Sequence, residues 1–170
     1  MPEAPPTFLS RLQRLTAVLE DVLLVVLLSA MILVSGTQIV LRNLFDGALL
    51  WADPLLRVAV LWVGMIGAMV ATRSDKQITI DAVSRFVSQR WKFRLRVVTD
   101  VFTAAVAGVL AWSAFRLMME DRAAGGLAIA FVPVWICESI LPVAFAVIAL
   151  RYLLFAIAHF RQSTTDEDFL

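Results

Sequence analysis

Twenty consecutive residues without a charge, Val22 to Leu41, constrain this chain more than any other feature in it. A helix rises about 1.5 Å per residue, so such a run covers the roughly 30 Å hydrocarbon core of a bilayer. It is too long for the apolar region of a cleaved signal peptide, acidic Glu20 and Asp21 precede it, and no A-x-A site closes it. Composition agrees: 61% of the 170 residues are hydrophobic and only 17% are charged, where soluble domains draw about a quarter from charged residues. The solvent for most of this chain is lipid.

Three further apolar stretches follow, and the reading is one all-α integral membrane domain, 1–170, with four transmembrane helices. The spans are expected at about 18–41, 52–72, 95–118 and 134–158. Before the first span, Phe8, Leu12, Leu15 and Leu19 recur at helical spacing. They form either an interfacial helix or an extension of the first span. Asp53-Pro54 reads as a helix N-cap with proline at the first helical position. Asp53 and Arg57, four apart with the acid first, are spaced to pair along one face, as are Arg96 with Asp100 and Arg116 with Glu120. Gly64, Ala68 and Ala71 make a small-residue stripe of the kind that lets two membrane helices approach closely.

The longest polar connection, Arg73 to Arg96, holds seven basic residues. Within it Ile80, Val83, Val87 and Trp91 repeat at helical spacing, which predicts an amphipathic helix over about 79–91 lying among headgroups. A nucleic-acid patch is the competing reading of the basic cluster. A cytoplasmic membrane surface accounts for it with fewer assumptions, so lipid rather than nucleic acid is the expected partner. Asp121 to Leu127, with Gly125-Gly126, is expected to be a turn, and 163–170 an acidic tail. Lysine and arginine concentrate at the two ends and in the middle connection. By the positive-inside rule both termini are cytoplasmic. Trp51 and Trp135 then lie in the outer aromatic belt, Trp91 and Tyr152 in the inner one, and Trp62 falls near mid-membrane, where it needs packing within the protein or against a partner.

Polar residues inside spans are costly and default to functional candidates. Glu138 is the sharpest, because Pro142 cannot donate to its backbone carbonyl. A carboxylate beside a freed carbonyl is a candidate proton or sodium site. Alternatively, Glu138 lies a turn below Trp135, close to headgroups, and pairs with Arg42, Arg57 or Arg122. Asp100 is expected to pair with Arg96. His159 is expected at the interface without chemistry. Cys137, the single cysteine, excludes an intrachain disulfide, and one histidine leaves no bis-histidine haem site. No G-x-S-x-G, HExxH, P-loop, CxxC or dinucleotide fingerprint occurs, so no enzyme and no cofactor are expected. Four short-looped spans without a broken, glycine-interrupted helix pair also lack the usual marks of a self-sufficient carrier. Devices for assembly dominate.

The order Arg42…Phe45, Trp51-x-Asp53, Leu56-Arg57, Trp62-x-Gly64, Gly67-Ala68, Arg73 and Ile78-Thr79-Ile80-Asp81 resembles the DctQ-type small permease subunit of TRAP (tripartite ATP-independent periplasmic) transporters. Val132-Pro133-Val134-Trp135 followed by Leu141-Pro142 resembles the start of that family's fourth helix. The resemblance runs from about Leu23 to Leu154. It implies a multi-pass protein of the bacterial inner membrane that does not itself carry substrate. The implied partners are a large membrane subunit, which moves an organic anion, typically a carboxylate, inward with sodium, and a periplasmic binding protein that delivers it. The small subunit would anchor the scaffold of the large one and help seat the binding protein. On that reading the candidate interface residues are Arg42, Asp53, Arg57, Trp62, Gly64, Gly67, Ala68, Arg73, Asp81, Pro133, Trp135, Glu138 and Pro142. The alternative is an autonomous ion-coupled carrier or antiporter using Glu138 or Asp53.

Overall fold

A computed structural model describes residues 8–44, 49, 51–73, 89–129 and 132–167, which are almost wholly helical. The elements are α1 (Phe8–Leu44), α2 (Ala52–Ala71), α3 (Gln89–Ala124), β1 (Leu127–Ile129), β2 (Val132–Pro133), α4 (Val134–Glu138) and α5 (Ile140–Glu167). Four helical stretches are long and apolar enough to cross a membrane: Leu15–Leu44, Ala52–Ala71, Leu95–Ala124 and Val134–Phe160. The amphipathic helix expected over 79–91 lies mostly outside the described residues, as does Asp81.

The chain divides into two compact units. The first lies within Met1–Val70 and Leu127–Pro133. Its α1 is a single helix of 37 residues, so the repeat of Phe8, Leu12, Leu15 and Leu19 extends the first span instead of forming a separate element. At about 1.5 Å per residue α1 is roughly 55 Å long, well over the hydrocarbon thickness. Large apolar side chains such as Val25, Ile32 and Leu33 are exposed along it, which suits a surface wetted by lipid. Polar groups in the span are satisfied locally: the Thr37 hydroxyl donates to the Leu33 carbonyl at 2.8 Å, avoiding an unmade hydrogen bond in hydrocarbon.

α2 begins two residues earlier than the Asp53 cap requires. The Ala52 N–H donates to Leu49 O at 3.0 Å and the Leu55 N–H to Trp51 O at 3.2 Å. Pro54 is therefore the third helical residue, still in the first turn, where a missing N–H breaks no intrahelical bond. Asp53 remains in that turn, with its charge at the positive end of the helix dipole. β1 and β2 pair antiparallel, Leu127 with Pro133 and Ile129 with Val132, with an irregularity between the two pairs. Nothing in the sequence pattern pointed to this hairpin, because four paired residues carry too short an alternation to read.

The second unit lies within Ala71–Gly126 and Val134–Leu170. Here α3 and α5 pack along one another, antiparallel, since Asp100 near the start of one meets His159 near the end of the other. The contact is lined by small residues: Ala107, Ala144 and Ala156 are buried, which lets the backbones come close. α3 continues through Ala124, four residues into the expected turn. Gly125 then ends it with φ of 68° and its N–H on Asp121 O at 3.1 Å, a left-handed cap that glycine adopts without a Cβ penalty.

The fourth span is not one continuous helix. α4 stops at Glu138, Ser139 donates both its N–H (3.3 Å) and its hydroxyl (2.7 Å) to Ile136 O, and α5 restarts at Ile140. The break falls where proline chemistry puts it. Pro142 has no N–H for the Glu138 carbonyl and its ring crowds that position, so Pro142 sits in the first turn of a new helix and not within an unbroken one. α5 runs on to Glu167, beyond the Ala158 end expected for the span and into the acidic segment.

Candidate partner interface and intramembrane polar pairs

In the first unit, Asp53 does not pair with Arg57. Its Oδ1 accepts from the Nε2 of Gln38 on α1 at 2.9 Å. A side-chain amide from the neighbouring span takes the acceptor that helical spacing had assigned to arginine. Arg57 and Arg42 are both exposed. Gly64 and Ala68 are exposed on α2 as well, and among the described residues nothing lies within 4 Å of a Cβ built at Gly64 or Gly67. The stripe that the sequence marked as a packing face is open. Trp62 and Arg73 are half-buried and already engaged in contacts of their own.

In the second unit, polar residues cluster at two levels. Near the C-terminal end of α3, Arg122 holds its guanidinium 5.3 Å from the Trp135 ring centroid, a cation–π contact. Arg122 is thereby placed over an aromatic face and not on Glu138. The Glu138 carboxyl instead lies beside that of Asp121, and its Oε2 is buried with no hydrogen-bond partner among the described residues. Arg116 and Glu120 form the expected pair at 3.5 Å, with both side chains 68% exposed. Pro133, which belongs to the first unit, closes β2 opposite Leu127. Pro142 is half-buried at the start of α5.

At the other end, Asp100 is 1% exposed and His159 is 6% exposed. His159 Nδ1 lies 2.9 Å from Asp100 Oδ2, a buried hydrogen-bonding contact between the imidazole and the carboxyl. This overturns two expectations: Asp100 does not pair with Arg96, and His159 is not an idle interfacial residue. The helical i, i+4 rule describes neighbours on one helix, whereas burial of Asp100 against α5 removes it from Arg96. One signal in the sequence could have found the pair. Asp100 lies near the start of one span and His159 near the end of the next, and consecutive spans joined by a short turn run antiparallel, so lone polar residues at matching depths meet. Elsewhere, Arg151 donates to the Thr72 hydroxyl at 3.3 Å.

A groove of about 240 Å³ opens between α3 and α5, lined by apolar side chains such as Phe102, Val106, Phe145 and Ile148 and by Thr103, whose hydroxyl is already spent on Thr99 O. Its walls offer an organic anion almost no hydrogen-bond donor, and an unpaired carboxylate there would be costly. Among the described residues no group of three or more His, Cys, Asp or Glu converges on a metal position.

These features define a multi-pass helical membrane protein with one open small-residue face and polar side chains spent on joining helices. The family model described as tripartite ATP-independent periplasmic transporters, DctQ component, matches residues 31–162. That is well over half of the chain, which belongs to this family: it is a TRAP transporter small permease subunit. No individually curated protein matches it.

Proposed function

We propose that this subunit scaffolds the large membrane subunit of a sodium-coupled TRAP transporter for organic anions, carboxylates in the first instance, and helps seat the periplasmic binding protein. Both termini are placed in the cytoplasm of a bacterial cell, with the chain in the inner membrane and the basic residues between Arg73 and Arg96 held by anionic lipid headgroups. The observation that carries this reading is the open face of α2 at Gly64 and Gly67. In lipid, helices associate through close packing of small residues, and an uncovered small-residue face on a transporter subunit suits a partner helix. The apolar lining of the α3–α5 groove also favours a subunit that leaves the anion to its partners.

The test is co-expression with the large subunit. The pair is expected to co-purify, and deletion of the small subunit is expected to abolish uptake of the organic anion. Normal transport by the large subunit alone would overturn the scaffold role.

A second reading keeps Glu138 as the ion site of an autonomous carrier, because its Oε2 is buried and unpartnered among the described residues. The isolated chain in liposomes would then support ion-coupled flux that Glu138→Gln abolishes. Absence of flux from the isolated chain eliminates that reading.

A further inference from the structure

We propose that Asp100 and His159 form a polar clasp that holds α3 and α5 in one register inside the membrane. Three observations converge on it. The contact is the most deeply buried polar pair described, with Asp100 1% and His159 6% exposed. It joins two different helices, 59 residues apart in sequence, through a directional hydrogen-bonding contact of 2.9 Å. Finally, Oδ1 of Asp100 is buried with no hydrogen-bond partner among the described residues, so among them His159 is the polar group that stabilises this carboxyl.

The rest of the helix contact explains why a clasp is needed. The buried alanines 107, 144 and 156 give a smooth surface on which backbones approach closely. Lipid tails are as apolar as the side chains they replace, so no hydrophobic force selects one register of such a surface over another. The groove flanked by Phe102, Val106, Phe145 and Ile148 shows that side chains in the middle of the pair do not interlock fully. Sliding α5 by one turn would keep alanine against apolar wall, but would carry His159 roughly 5.4 Å from Asp100 and strand a carboxyl in hydrocarbon. The cost of that stranded group falls on every register but one. Arg96, one turn before Asp100, is no substitute, since it does not reach the buried carboxylate. The clasp does not depend on the scaffold role, and it is measurable on the full-length chain alone.

The experiment uses the full chain in detergent micelles with Cys137→Ala and spin labels on Val109→Cys and Leu150→Cys, which stand exposed on α3 and α5. A single narrow inter-label distance is expected for this parent and for Asp100→Asn, whose amide still hydrogen-bonds with the imidazole. Asp100→Ala and His159→Ala are expected to broaden the distribution, with components displaced by roughly one helical turn, about 5 Å. The same narrow distance in all four proteins would overturn the clasp. Thermal unfolding of the single and double alanine variants gives an independent readout. The two substitutions are expected to be non-additive by about threefold to twentyfold in the unfolding equilibrium constant, the range of buried interhelical hydrogen bonds in membranes, and strict additivity would count against the pair. Should the alanine variants fail to fold, Asp100→Asn decides: folding retained supports the clasp, and folding lost along with them overturns it.

Discussion

Gln38–Asp53 in the first unit and Asp100–His159 in the second are hydrogen bonds of the same length, 2.9 Å, each between side chains of successive spans. They differ in what surrounds them. Asp53 is exposed at the start of α2, whereas Asp100 is sealed between α3 and α5. Length therefore says little about what either bond contributes. Exposed polar groups trade one partner for water or headgroups at a net worth of about 0.5–1.5 kcal/mol, but a buried group left alone loses its full solvation. In the first unit Asp53, Arg57, Gly64 and Ala68 are exposed among the described residues. The second closes its own around a helix pair. Among the described residues the first unit shows an exposed small-residue face and the second a sealed polar pair.

That contrast can be broken in order of expected effect. Ala144 is fully buried in the α3–α5 contact, so Ala144→Leu should overpack it and cost about 1–3 kcal/mol, seen as a lower thermal midpoint of the isolated subunit. Gly64→Leu with Gly67→Leu should act in the opposite sense. The new side chains meet open space among the described residues, so the midpoint of the isolated chain should hold while co-purification of the large subunit is lost. A fall in midpoint of the size given by Ala144→Leu would show that the α2 face is already occupied within the chain. Asp53→Ala removes only the exposed bond from Gln38 and should cost no more than about 1 kcal/mol, clearly less than Asp100→Ala measured in parallel. Trp135→Leu removes the platform under Arg122 and should cost about 0.5–1 kcal/mol at this partly exposed site. Arg116→Ala, at a pair with both side chains 68% exposed, should stay within about 0.5 kcal/mol. Equal effects for Asp53→Ala and Asp100→Ala would erase the distinction between the units.

Much of the architecture was legible in residues alone. Val22 to Leu41 and the three later apolar stretches fall in helices long and apolar enough to cross a membrane, because hydrocarbon forces every backbone group into an internal bond and leaves the helix as the local solution. The Arg116–Glu120 pair and the glycine turn after α3 were legible for the same reason: each depends on neighbours along one helix or one turn. Reading failed wherever the partner lay on another element. Asp53 found Gln38 instead of Arg57, Asp100 found His159 instead of Arg96, and Arg122 found the ring of Trp135 instead of the Glu138 carboxyl. The helix break at Ser139 shows both sides. Pro142 announces that the Glu138 carbonyl loses its donor, but only the folded chain shows two helices where one was expected.

The sequence by itself determined that this is a four-span membrane subunit with an α2 face of small residues, because periodicity, span length and side-chain size are local properties that no distant contact can change. Which polar groups are sealed and which stay open was decided only by the tertiary structure. Burial depends on what another helix brings to the same depth, and a buried carboxyl in lipid takes whichever donor arrives there.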